Sequence, residues 1–86
     1  MSYRLLLSIK AGVFLKKLNK SDKKRIESRL KDLACNPELG KPLVGKLAGL
    51  WSLRMGDYRA IYEIKYNELL ILVLKLGHRK NVYDLL

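Results

Sequence analysis

Three strand-like segments separated by two short turns fill much of the second half of the chain, and they constrain its fold more than any other feature. Hydrophobic and polar residues alternate from Leu50 to Met55 and again from Tyr58 to Tyr66, and a nearly continuous apolar run covers Leu69 to Leu76. The dipeptides Gly56-Asp57 and Asn67-Glu68 that separate these segments have turn-forming compositions. Strands joined by such short connections pair antiparallel. The pattern predicts a three-stranded meander whose apolar run is a central strand covered on both faces.

The first half of the chain predicts one strand and then two helices. Tyr3 to Ile9 is a short apolar run typical of a strand, and Ala11 to Leu18 has helical spacing with Ser8 as a candidate N-cap. A second helix is predicted from Ser21, as its N-cap, to about Asn36, because a proline follows. One apolar stripe runs along this helix and consists of Ile26, Leu30, Leu33 and Ala34.

The order of these elements predicts an α+β domain. The N-terminal strand and the C-terminal meander are expected to form one antiparallel sheet, with the two helices packed on one face. A chain of 86 residues has room for a single domain, which we assign to residues 1–86. The stretch from Pro37 to Gly49 holds both prolines and three of the six glycines, so we expect it to be mostly loop.

The charge balance favours a polyanionic partner. Eighteen lysines and arginines face eight aspartates and glutamates, and the formal net charge is +10. A surface of this kind attracts nucleic acid, an acidic protein or a membrane surface, although an inert basic surface is the alternative interpretation. No segment approaches the roughly 20 apolar residues of a membrane span. Ser8 and Lys10 interrupt the apolar N-terminal stretch, and Cys35 is the single cysteine, so we expect a cytoplasmic protein with no internal disulfide.

Two arginines are predicted to face each other across the first hairpin. If Gly56 and Asp57 form a two-residue loop, Arg54 pairs with Arg59 on the face opposite to the apolar residues. Like charges in this arrangement destabilise a sheet, whereas a phosphate bound between them would make the arrangement favourable. Two interpretations therefore stay open, a phosphate site and a pair of solvated arginines that point apart.

The third strand of the meander is predicted to bring the C-terminal residues to the same place. Pairing of Tyr66 with Leu69 sets Leu76 opposite Arg59, so the following segment should emerge beside the arginine pair. This segment carries four polar or aromatic side chains, His78, Arg79, Lys80 and Tyr83.

The segment from Leu47 to Leu86 resembles the RelE/ParE toxin superfamily. Its members share the pattern L-x-G, then R-x-G-x-Y-R-x-x-Y, then a strand, then G-H/K-R and a tyrosine. In this chain the pattern is met by Leu47-Ala48-Gly49, by Arg54 to Tyr62, by Gly77-His78-Arg79 and by Tyr83. The preceding strand and helices match in order and length, so the resemblance covers essentially the whole chain.

The resemblance implies the toxin of a type II toxin–antitoxin system, silenced by a cognate acidic, RelB-like antitoxin. RelE-type toxins are mRNA interferases, which cleave mRNA in the ribosomal A site by attack of a ribose 2′-OH on the adjacent phosphate and so inhibit translation. The implied partners are the ribosome and mRNA, with no metal and no small-molecule cofactor. Two alternatives remain, a ParE-type toxin that inhibits DNA gyrase and a non-catalytic basic domain that binds nucleic acid.

The resemblance also assigns roles to individual residues. Arg54, Arg59 and Arg79 match basic site positions, and Tyr83 matches the catalytic tyrosine. Preorganised guanidinium groups stabilise the negative charge that develops on the attacked phosphate.

The group that transfers protons is less clear, because some relatives carry a lysine where this chain has Ser52. His78 is the one side chain near these positions whose ordinary pKa suits acid–base work near neutral pH, and we predict this role for it. Lys46, Ser52 and Lys80 are predicted to contact RNA.

Overall fold

The computed structural model describes residues 2–80, which form two helices and a five-stranded sheet. The strands are β1 (Arg4–Leu7), β2 (Lys41–Pro42), β3 (Trp51–Met55), β4 (Tyr58–Lys65) and β5 (Leu70–His78). The helices are α1 (Ile9–Lys16) and α2 (Lys20–Cys35). Single 3-10 turns lie at Pro37–Leu39, Gly45–Leu47 and Tyr66–Glu68.

The sheet has the order β1-β5-β4-β3-β2, and it is mixed rather than wholly antiparallel. The α+β class is confirmed, but the predicted direction of β1 is wrong, because β1 runs parallel to β5 from Arg4↔Leu70 to Leu7↔Val73. A parallel pair requires a crossover connection, which α1 and α2 provide before the meander begins. β5 is an interior strand between β1 and β4, and the central position belongs to β4.

Local capping explains where the two helices begin. The hydroxyl of Ser8 accepts a hydrogen bond from the backbone N–H of Ala11 at 3.1 Å, so the predicted cap of α1 is confirmed. The predicted cap of α2 is wrong, because Asn19 occupies that position and its Oδ1 accepts from the N–H of Asp22 at 2.8 Å. Ser21 lies inside the first turn of α2. The helix ends at Cys35, immediately before Asn36, as predicted.

The core lies between the helices and one face of the sheet. Its helical contribution includes Ile26 and Leu33, both fully buried, and its sheet contribution includes the fully buried Tyr62 at the centre of β4. Alternation along β3 and β4 sends the intervening residues to the opposite side. We call this side the arginine face and define it by Ser52, Arg54, Arg59 and Ile61.

The two hairpins follow the predicted register only in part. In the first, Gly56 has a φ of +66°, which suits the first central residue of a two-residue turn, and Arg54 pairs with Arg59 as predicted. In the second, the pairs from Lys65↔Leu70 to Tyr62↔Val73 have the predicted register.

A β-bulge then shifts the rest of the second hairpin. Ile61 pairs with Lys75, so Leu74 is the extra residue on β5, and Arg59 pairs with Gly77 rather than with Leu76. The hydroxyl of Ser8 donates a hydrogen bond to the carbonyl of Leu74 at 2.7 Å, which gives the extra residue a partner outside the β4–β5 ladder. The shift returns the apolar Leu76 to the core.

A short edge strand lies within the segment predicted to be mostly loop. β2 pairs antiparallel with β3 through Lys41↔Ser52 and Pro42↔Trp51. A proline is compatible with this position because an edge strand has one side without ladder bonds. β2 therefore extends the sheet beside the arginine pair.

Candidate nucleic-acid interface

The arginine pair forms on neighbouring strands, as the turn pattern predicted. Arg54 and Arg59 are direct cross-strand partners, and Arg54 is exposed whereas Arg59 is half-buried. The Nη1 of Arg59 donates a hydrogen bond to the Oγ of Ser52 at 3.2 Å. Ser52 is only 5% exposed, so its hydroxyl orients the guanidinium of Arg59 instead of presenting an open contact to solvent.

The pair opens into a groove of about 440 Å³ at the edge of the sheet. Four cationic side chains line it, two from the arginine pair, one from α2 (Arg29) and one from β2 (Lys41). The described residues of its wall include no carboxylate, and the others are Leu39, Gly40, Pro42, Leu43, Ser52 and Leu53. Several positive charges brought together in one groove favour an anionic ligand, and guanidinium forks match the geometry of phosphate.

A buried tyrosine fixes the wall of the groove that carries Lys41. The hydroxyl of Tyr62 donates to the carbonyl of Pro37 at 2.8 Å and accepts from the N–H of Gly40 at 3.1 Å. Its ring stacks on Trp51 with 6.3 Å between centroids. Burial raises the pKa of Tyr62 to about 12, so this hydroxyl keeps its proton and can donate to the carbonyl at physiological pH.

Gly40 is required by the close approach of this wall to β3. A Cβ at position 40 would collide with the carbonyl oxygen of Ser52 and would lie 2.7 Å from the hydroxyl of Tyr62. The segment before β2 thus rests directly on backbone and on a buried side chain. Lys41, which follows Gly40, inherits this fixed position.

His78 does not join the arginine pair. Because the bulge places Gly77 opposite Arg59, His78 pairs with Tyr58 and its side chain lies on the helix face of the sheet. Its ring is 5.0 Å from that of Tyr58 and 6.2 Å from that of Phe14, measured between centroids. The predicted placement of His78 beside the arginines is wrong, and the cause is the one-residue shift.

The remaining predicted site residues fall into three groups. Arg79 and Lys80 are exposed beyond β5, and the N–H of Arg79 donates to the carbonyl of Asp57 at 3.0 Å, which holds this segment beside the first turn. Lys46 is exposed in the 3-10 turn Gly45–Leu47 and does not line the groove. Tyr83 lies outside the described residues.

Sequence reasoning missed Arg29 and Lys41, which line the groove. Arg29 lies among several charged residues off the apolar stripe of α2, and no spacing distinguishes it from the others. Lys41 is placed by a two-residue strand too short to leave a pattern.

Residues 2–80 contain no group of three or more His, Cys, Asp or Glu side chains placed to hold a metal ion. Neither α1 nor α2 is long and apolar enough to cross a bilayer, and the same holds for the other helical turns in this range. The polar side chains that line the groove carry guanidinium, ammonium and hydroxyl groups.

The fold and the groove define a small, basic α+β domain that presents paired arginines on one face of a sheet. The chain belongs to the family described as the ParE toxin of the type II toxin–antitoxin system parDE, whose sequence model matches residues 7–83. It is a toxin of the RelE/ParE superfamily, as the sequence pattern indicated.

Similar proteins carry RelE-type names. Toxin RelG of Mycobacterium tuberculosis is 37% identical over 59 residues, which are 67% of this chain and 68% of RelG. A chain of the RelBE2 toxin–antitoxin complex of the same organism has a TM-score of 0.83 and 32% identity, over 92% of this chain and 100% of that one. The archaeal RelE–RelB complex from Pyrococcus horikoshii gives 0.73 and 29%, over 92% and 97%.

Proposed function

We propose that this toxin is an endoribonuclease that cleaves mRNA in the ribosomal A site in the cytoplasm, and thereby stops translation. The observation that carries the proposal is the groove in which Arg54 and Arg59 stand directly opposite each other without an acidic residue in the described wall. The RelE-type names of similar toxins support the same class of activity. The proposed substrate is a phosphodiester of single-stranded RNA.

The proposed reaction is an internal transesterification. The 2′-oxygen of the ribose loses its proton and bonds to the adjacent phosphorus, while the bond from phosphorus to the 5′-oxygen breaks and that oxygen gains a proton. The products are a 2′,3′-cyclic phosphate and a 5′-hydroxyl end. Negative charge grows on the non-bridging oxygens, and Arg54 and Arg59 stabilise it, with the guanidinium of Arg59 already oriented by Ser52 before the reaction begins.

The neighbouring groups have supporting roles in this proposal. Ser52 fixes one nitrogen of Arg59, so that less side-chain freedom is lost when the phosphate binds. Arg79, tethered by its backbone beside Asp57, adds a third guanidinium at the end of β5, and Lys46 and Lys80 contact RNA further along the strand. Tyr83 is assigned by the sequence pattern to orient the 2′-hydroxyl or to stack on a base.

The proposal also includes a cognate acidic antitoxin. The net charge of +10 attracts an acidic chain, and Ile9 and Val13, one turn apart on α1, are 87% and 46% exposed. An acidic segment with apolar residues matches both features. Co-expression with the antitoxin should restore growth, whereas toxicity that persists in the presence of bound antitoxin would contradict this part.

The decisive experiment is cleavage of mRNA on programmed ribosomes, with analysis of the product ends. Wild-type protein should leave cyclic-phosphate ends, and Arg59→Ala should lower the single-turnover rate by about 100-fold or more, the usual cost of one preorganised donor. Arg4→Ala is the matched control, because Arg4 is an exposed cation on β1, at the far side of the sheet. It should cleave at the wild-type rate.

A parallel assay separates the two main alternatives. A ParE-type toxin would inhibit supercoiling by DNA gyrase and leave ribosome-bound mRNA intact. A non-catalytic binding domain would retain RNA without producing cyclic-phosphate ends. Either result would replace the ribonuclease proposal.

A further inference from the structure

We infer that Arg29 and Lys41 form a second phosphate subsite in the groove, which binds the phosphodiester next to the one held by Arg54 and Arg59. The inference rests on the proposed function, because it names how the same site would take a longer RNA. It predicts that the toxin binds two consecutive phosphates of a single strand rather than one isolated anion.

The spacing of the strands supports two subsites. Lys41 is paired with Ser52, which lies two residues from Arg54 along β3. Two residues of a strand span about 6.7 Å. Lys41 and Arg54 are therefore spaced to contact two different phosphates and not the same one. Lys41 and Arg29 nevertheless line the same continuous groove as the arginine pair.

Arg29 contributes a cation from a different element of the fold. It is on α2, and its Nη1 is 3.5 Å from the Oδ2 of Asp32. Both side chains of this pair are substantially exposed, at 37% and 58%, so the ion pair is weak. A phosphate can therefore compete with Asp32 for the guanidinium of Arg29. Removal of the Asp32 carboxylate should therefore raise the affinity of the subsite for phosphate.

The backbone that carries Lys41 is held by contacts with the neighbouring strands. The hydroxyl of Tyr62 binds the backbone on both sides of the turn at Pro37–Leu39, and Gly40 packs against the carbonyl of Ser52. These contacts fix the backbone that carries Lys41 relative to β3.

The test compares two uncleavable ligands, a 2′-O-methyl dinucleotide with one phosphodiester and a trinucleotide with two, in NMR titrations that measure weak binding. Wild-type protein should bind the trinucleotide about tenfold more tightly, the effect of one additional charge-assisted contact. Arg29→Gln and Lys41→Gln should each weaken binding of the trinucleotide more than binding of the dinucleotide, and so reduce that advantage. Asp32→Asn should increase it, and Lys24→Gln, an exposed cation of α2 outside the groove, should have no effect.

The salt dependence of trinucleotide binding provides a second readout. The slope of log Kd against log salt concentration should fall by about 0.7 in Arg29→Gln, since one phosphate contact is lost. If wild-type protein binds the trinucleotide more tightly but Arg29→Gln and Lys41→Gln leave that gain intact, the subsite is refuted while the proposed function stands. If wild-type protein binds neither ligand, or binds both equally well, the subsite is refuted, and the proposed function is judged separately by cleavage on programmed ribosomes. If the substitutions weaken binding of a polyglutamate peptide instead, the groove binds an acidic protein and the subsite is also overturned.

Discussion

The wall of the groove depends on the hydroxyl group of Tyr62. The substitution Tyr62→Phe removes this group without changing the shape of the ring. The loss breaks the hydrogen bond donated to Pro37 and the one accepted from Gly40, at 2.8 and 3.1 Å. The aromatic stacking on Trp51 is retained. The substitution therefore isolates the two polar contacts.

The expected cost can be worked out from these two contacts. Each partner left without a hydrogen bond costs about 1–3 kcal/mol, and the lower end applies because Pro37 and Gly40 are half-buried and can take up water. The sum is about 2 kcal/mol. For a domain of this size, 1 kcal/mol corresponds to about 4–8 °C in Tm, so Tyr62→Phe should melt about 8–16 °C below wild type.

Urea denaturation and thermal melting measure this effect, and Tyr66→Phe is the matched control. Tyr66 is exposed and its hydroxyl donates to Glu38 at 2.8 Å, so its loss should cost less than about 0.5 kcal/mol. The cleavage rate of Tyr62→Phe should also fall, because Lys41 loses its support. If Tyr62→Phe and Tyr66→Phe have the same stability, then Tyr62 does not hold β2 in place.

Three further outcomes follow from the same structure. Arg79→Ala should abolish growth arrest while its urea midpoint stays at the wild-type value, and a fully toxic variant would remove Arg79 from the site. His78→Gln should lower the cleavage rate less than tenfold and leave the pH–rate profile unchanged, because the imidazole lies against Phe14 and Tyr58 on the helix face. A large loss of rate together with a change in the pH–rate profile would restore the proton-transfer role of His78. The pKa of Tyr62 is raised from 10.0 to about 12, so its contribution to stability is present below pH 10 and lost between pH 10 and 12. Wild-type protein should therefore lose stability more steeply than Tyr62→Phe in urea titrations across that range, and parallel pH dependences would contradict the assignment.

The turns carried most of the information that the sequence offered about the site. Gly56 has a conformation that favours glycine, and a two-residue turn leaves one register, so the opposition of Arg54 and Arg59 followed from a short pattern. Local signals of this kind are reliable because the atoms that determine them are close in sequence. The cap at Ser8 was predictable for the same reason.

The bulge was not predictable, and it changed the composition of the site. Nothing in the run from Leu69 to Leu76 marks Leu74 as the extra residue, because its partner Ser8 lies 66 positions away. Long-range contacts of this sort leave no local pattern. The consequence was large, since a shift of one residue moves every later side chain to the other face.

Tertiary packing also determined which cations line the groove. Arg29 resembles its charged neighbours in sequence, and the packing of α2 against β3 brings it into the groove that the arginine pair lines. The parallel direction of β1 likewise depends on the path of the whole chain and not on Arg4–Leu7 alone.

The strand order has a consequence for folding of the protein during its synthesis. β5 is synthesised after every other described strand, yet it lies between β1 and β4 in the finished sheet. The nascent chain emerges at about 5–20 residues per second, and until Leu70–His78 follows, β1 has no partner and β4 has an open edge. The core therefore closes only after β5 has been synthesised, because Ile71, Val73 and Leu76 of this strand belong to it. The toxin fold is therefore complete only when nearly all of its described strands have left the ribosome.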